Sequence, residues 1–163
     1  MPLVDALLPE FDHEMTVTRK LLERVPDGAF DWQPHPKSMS LGRLAQHVAT
    51  IPMWGAVTMK EDGLDVGAAA PLPTAATRAD LLAMFDRHVQ ETRAVLAGRS
   101  DAELMVPWTM KNAGHTVMSL PRAAVLRTLV LSHMIHHRGQ LSLYLRLQDI
   151  PVPSIYGPSA DES

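Results

Sequence analysis

Apolar residues recur at steps of three and four in four stretches of the chain, the spacing that gathers them on one face of a helix. In the first, about residues 3–25, Val4, Leu7, Leu8, Phe11, Met15, Thr18, Leu22 and Val25 fall in register. Pro9 lies inside it and suits a first helical turn, so the spacing predicts a start near Pro9. Pro26-Asp27-Gly28 ends it. The second helix is predicted to open at Ser40, a good N-cap, and to carry Leu44, His47, Ile51 and Trp54 in one row. Pro52 lacks a donor and crowds the Val48 carbonyl, so a kink is expected one turn after His47.

A Gly- and Pro-containing stretch, 61–76, reads as a loop. Thr77 with Asp80 then forms a capping-box pattern. The third helix carries Leu81, Leu82, Phe85, Val89, Val95 and Leu96 and stops at Gly98. Residues 104–120 lack the helical period, and a short irregular hairpin is predicted there. Ser119 and Pro121 open the fourth helix, which runs to about Gln148. Leu126, Leu129, Val130, Leu131, Met134, Ile135, Leu141, Leu143 and Leu145 cover most of its circumference. A helix apolar nearly all round is usually buried all round, which places it centrally or under a second subunit. The proline-rich stretch 150–158 is too apolar for a free tail and is expected to pack over the end of the bundle.

Composition narrows the function classes. At 163 residues, one domain spanning 1–163 is expected. With 46% apolar and 20% charged residues the chain can build a core. A net charge of −3 gives no footprint for nucleic acid. No apolar run approaches the roughly 20 residues of a membrane span, and the N-terminus has no basic region ahead of an apolar one. A cytoplasmic location is therefore expected. The absence of Cys removes disulfides, thiol nucleophiles and thiolate metal sites. There is no phosphate loop, no G-x-S-x-G elbow, no HExxH and no di-iron Glu-x-x-His pattern. The ten Met residues read as core filler.

The chemistry that remains is imidazole. His133 and His137 are four apart on a strongly helical stretch and share a face. Their row continues into Gln140 and Tyr144, which favours this pair over His133 with His136, also on a common face. Two rings so placed can meet one divalent cation. A third ligand must come from elsewhere, and His47, inside an apolar row, is the best candidate. Three imidazoles leave coordination positions open, as in catalytic rather than structural zinc sites. Water in such a position acidifies to a pKa of about 7 in favourable cases. Against this stands a simpler reading, since an HxxxH pair arises often by chance and an inward His is more often a hydrogen-bonded core residue. His13, His35, His88 and His115 have no partner at ligand spacing, and His88 is the one expected nearest the site.

The stretch His133-Met134-Ile135-His136-His137-Arg138-Gly139-Gln140-Leu141, followed by Tyr144-Leu145-Arg146 and by residues 152–162, resembles the DinB (damage-inducible, YfiT-like) family of metal-binding bundles. Asp31-Trp32-Gln33-Pro34 and the Leu41 to His47 segment fit as well. The resemblance implies an all-α fold, a four-helix bundle with a long crossover connection. It implies a metal, Zn2+ or Ni2+, on positions matching His47, His133 and His137, and a homodimer. Related members are thiol-dependent transferases or look like metal-dependent hydrolases. The expected function is thus activation of a low-molecular-weight thiol or water for attack on a small electrophile, with Gln140 and Tyr144 lining the substrate pocket. No catalytic base can be carried over. Two alternatives stand beside it: a stress protein whose metal only pins the bundle, and a metal-free carrier with a hydrogen-bonded His cluster.

Overall fold

The computed structural model describes residues 1–162. Four helices form the bundle: α1 (Leu3–Leu22), α2 (Leu41–Thr50), α4 (Arg78–Leu96) and α7 (His133–Leu147). Helix α4 packs on α1 and α2, and α7 packs on the same two from the other side. Connections 23–40 and 97–132 therefore join helices standing diagonally across the bundle. The core is Leu21, Leu22, Leu41, Leu44, Val48, Leu81, Phe85, Met134, Leu141 and Leu145, all essentially without solvent contact.

The caps predicted for α2 and α4 are present. Ser40 Oγ accepts from the Arg43 amide, and Thr77 with Asp80 forms a reciprocal capping box. Gly98, at φ +74°, takes the chain out of α4 in the left-handed region that glycine enters without penalty. Helix α1 does not start at Pro9. It begins at Leu3 and runs through Pro9. The proline sits near an exposed end, where one missing amide disturbs little, and the Leu3 amide is held by Asp101 Oδ1 at 2.7 Å.

The purely all-α expectation is corrected. The fold is mostly helical with a small three-stranded sheet. Strands β2 (Pro107–Asn112) and β3 (His115–Pro121) form the expected hairpin, with a register shift at Met110/Lys111. Its two-residue turn has Ala113 and Gly114 at φ +49° and +82°, the mirror-image turn that matches strand twist. The third strand, β1 (Gly63–Asp65), lies in the stretch read as loop and pairs parallel to β2. Asp65 secures it by accepting from the amides of Gly67, Ala113 and Gly114.

The kink expected at Pro52 divides the helix in two, although Ile51 and Pro52 keep helical backbone angles. Helix α2 stops at Thr50, and α3 (Met53–Lys60) starts afresh. Helix α4 satisfies the carbonyls exposed there: His88 Nδ1 lies 3.2 Å from the Ala49 carbonyl, and Thr92 Oγ1 donates to that of Pro52 at 2.6 Å. His88 is thus a hydrogen-bonded core residue.

The last helix is not uniform. After α5 (Asp101–Leu104) and the hairpin, α6 (Arg122–Val125) leads into π-helical turns over Leu126–Ser132, which give way to α7 at His133. Nor is α7 buried all round. Met134, Arg138, Leu141 and Leu145 make one buried stripe, whereas Leu143 and Leu147 are 58% and 52% exposed. The tail packs as expected. Val152 and Ile150 lie against the core, and Asp161 and Glu162 hold the segment through Arg146, Arg24 and the amides of Val152 and Ser154.

Candidate metal centre

His47 stands in the last turn of α2, and His133 and His137 stand one turn apart at the start of α7. Packing of α2 against α7 brings the three rings together. Their centroids are 4.5 Å (His47–His137), 4.6 Å (His133–His137) and 4.9 Å (His47–His133) apart. One ring nitrogen from each lies within 4.8 Å of the others, and Nε2 of His47 is 3.2 Å from Nε2 of His133. All three side chains are half-buried.

Local structure decides which nitrogens converge. His137 Nδ1 lies 2.7 Å from Gln140 Oε1. A carbonyl oxygen only accepts, so the proton is on Nδ1 and Nε2 keeps its lone pair. The Leu129 carbonyl, one turn back in the π-helical stretch, raises the His133 pKa and so opposes the lowering by burial. His47 gets no such partner, but its own carbonyl accepts from Thr50 Oγ1 and the Ile51 amide at the break.

Electrostatics keep the cluster neutral. Burial, then the His137 and His133 rings, then Arg43 lower His47 to about 4. Burial is also the leading cause lowering His133 and His137. Three unprotonated imidazoles facing one point, without a carboxylate among them, are a donor set that suits a borderline divalent ion.

His136 is exposed, its ring 4.7 Å from that of His137, outside the three-nitrogen cluster. His13, His35 and His115 are exposed. Tyr144 sets its ring edge-on to Trp32, with centroids 5.6 Å apart. A surface cleft of about 330 Å³ reaches His47 and is lined by Met39, Arg43, Gln46, His47, Thr50 and Leu72. Gln140 and Tyr144 are outside that lining.

Sequence reasoning passed over two features. One is Arg43, on the lip of the cleft. The other is a network beside the centre built on a buried ion pair: Arg138 pairs with Glu14 at 2.6 Å, and Oη of the exposed Tyr156 donates to the Glu14 carboxylate at 2.9 Å while accepting from Arg138. Its signal was an acid, Glu14, in the apolar row of α1 between Phe11 and Thr18.

A family model described as the DinB family matches residues 2–163. The chain is 28% identical to YrdA of Bacillus subtilis strain 168 over 166 residues, covering 98% of this chain and 91% of YrdA. It is 27% identical to YjoA of the same strain over 143 residues, 86% of this chain and 87% of YjoA. Among solved structures it is similar to a DinB-like protein from Bacillus cereus ATCC 10987, with a TM-score of 0.71, 20% identity and coverage of 93% and 97% of the two chains. The crystal structure of YjoA superposes with a TM-score of 0.68 at 21% identity, covering 96% and 98%. At such identities the structural likeness speaks for the fold.

Proposed function

The chain belongs to the DinB family, and on that premise we propose a metal-dependent enzyme that holds Zn2+ or Ni2+ on His47, His133 and His137 and directs a thiol or water at a small electrophile. The observation that carries this reading is the convergence of three neutral ring nitrogens, one of them on His47, which also lines an open cleft. A divalent ion held there supplies a Lewis acid and lowers the pKa of a coordinated thiol or water.

The chain's own residues do the rest. His47, His133 and His137 are kept unprotonated by burial and by one another, so they bind without first releasing protons. Gln140 fixes the tautomer of His137. Gln140 and Tyr144 follow His137 along α7 and complete the proposed substrate-binding set. The chain has no Cys, so the thiol of an S-transfer reaction is a low-molecular-weight cosubstrate. Hydrolysis is the form the reaction takes when water replaces the thiol. The exposed Leu143 and Leu147, one turn apart on α7, support a homodimer. No helix among the described residues is long and apolar enough to cross a membrane, and a cytoplasmic location is part of the proposal.

The alternative, a metal that only pins α2 to α7, draws on the ligands coming from two helices. Elemental analysis of untagged protein grown with ample metal tests both. About one equivalent is expected, and it is lost in His137→Ala. No bound metal overturns both readings. A transfer screen with metal-loaded protein, several thiols and several electrophiles then separates them, because turnover excludes a merely structural ion and silence throughout removes the enzyme.

A further inference from the structure

Eight of the eleven arginines are ion-paired: Arg19, Arg24, Arg93, Arg99, Arg122, Arg127, Arg138 and Arg146. Arg43 is not. Its guanidinium makes no ion pair and no side-chain hydrogen bond among the described residues. It nevertheless lines two adjoining clefts, the 330 Å³ one that reaches His47 and a neighbour of about 390 Å³ bounded by Phe30, Asp31, Ser40 and Thr74. Arg43 precedes His47 by one turn of α2, and residues so spaced share a face. Its charge is felt at the site, since it is among the causes that lower His47.

The other polar side chains of the smaller cleft are engaged. Gln46 donates to the Pro73 carbonyl at 3.3 Å and accepts from the Ala75 amide at 2.9 Å, tying the 73–75 segment to α2 as a wall. Thr50 donates to the His47 carbonyl. Met39 and Leu72 add apolar surface. What is left for a ligand is one fork of N–H donors with a positive charge, a turn from the imidazole cluster and flanked by apolar groups. A guanidinium matches a carboxylate in both charge and geometry.

We infer that Arg43 is the anion-recognising residue of this site, and that the small molecule the site takes carries a carboxylate a few bonds from its reacting atom. The inference rests on the proposed function for what reacts, but the recognition itself needs only α2 and the cleft. The carboxylate can belong to the thiol or to the electrophile.

Amide NMR shifts of α2 follow binding of four probes in low-salt buffer, to zinc-treated and to EDTA-treated protein. They are 3-mercaptopropionate against 2-mercaptoethanol for the thiol, and fumarate against fumaramide for the electrophile. In at least one pair the carboxylate is expected to bind on the order of tenfold more tightly than its neutral counterpart, and Arg43→Gln abolishes that preference. The pair that shows it identifies the carrier. Equal affinities in both pairs, or a preference that survives Arg43→Gln, overturn the inference. If the protein takes up no zinc and the Arg43-dependent preference persists, the metal reading falls and this one stands.

Discussion

Arg138, the residue after His137, meets Glu14 of α1 in an ion pair of 2.6 Å, with the two side chains 1% and 7% exposed. The pair is well satisfied. Arg138 also donates to the Glu14 carbonyl and to Thr18 Oγ1, and Tyr156 from the tail donates to the carboxylate. One network therefore joins the first helix, the ligand-bearing helix and the C-terminal segment. Removing one charge leaves the other buried without a partner, at a cost of about 3–5 kcal/mol. Glu14→Ala and Arg138→Ala are each expected to lower stability by that order in urea unfolding. The double change Glu14→Leu with Arg138→Met is expected to cost less than either. If the double variant is the least stable, the ion pair is itself a net source of stability.

Gly55 of α3 faces Thr92 of α4 so closely that an added Cβ would stand 2.3 Å from Thr92 Cγ2. Thr92 is fixed, because its hydroxyl donates to the Pro52 carbonyl at 2.6 Å. Gly55→Ala is therefore expected to destabilise by about 1–3 kcal/mol, as overpacking of a rigid contact does. Thr92→Ser removes the clashing methyl and keeps the donor, so Gly55→Ala with Thr92→Ser recovers part of the loss. Thermal unfolding of the three variants checks this, and a Gly55→Ala variant as stable as the parent contradicts the contact.

What the sequence disclosed depended on how local the signal was. Ser40, the Thr77/Asp80 box and Gly98 act on neighbours within three or four residues and could be read directly. His133 and His137 were legible as a pair for the same reason, and His47 as a polar side chain in an apolar row. The strand at Gly63–Asp65 was not, since three residues carry no alternation and their partners begin at Thr109. The π-helical turns over Leu126–Ser132 were hidden because those residues suit an α-helix equally well. Tyr156 reaches Glu14 across 142 positions, a pairing no local pattern announces.

The depressed His47 gives metal-free protein a defined pH response. Its ordinary value is 6.5, and burial beside two other imidazoles lowers it to about 4 in the folded chain. Between those values the unfolded chain binds more protons, so stability is complete above pH 6.5 and falls as pH drops toward 4. Half-burial reduces the contribution below the full linkage value, to about 2 kcal/mol. Urea unfolding of EDTA-treated protein at pH 7.5 and 4.5 is expected to show the loss, and His47→Gln to flatten it. An unchanged slope in His47→Gln places the pH dependence elsewhere.

Gln140 separates a positioning role from a ligand role. Its side-chain oxygen accepts from His137 Nδ1 and so leaves the lone pair on Nε2, the nitrogen then free to ligate. Partners that orient a ligand imidazole typically contribute 10- to 100-fold in metal affinity. Gln140→Leu is therefore expected to weaken zinc binding by that factor, measured by competition with a chromophoric chelator. Gln140→Glu keeps the acceptor and adds negative charge near the cation, so its affinity is expected to equal or exceed that of the parent. His137→Ala removes a ligand and is expected to fall below Gln140→Leu. Because Gln140 is exposed, none of this should carry over to the unfolding of metal-free protein. If Gln140→Leu binds zinc as tightly as the parent, the hydrogen bond does not orient a ligand; if it lowers metal-free stability to the same degree, the side chain is structural instead.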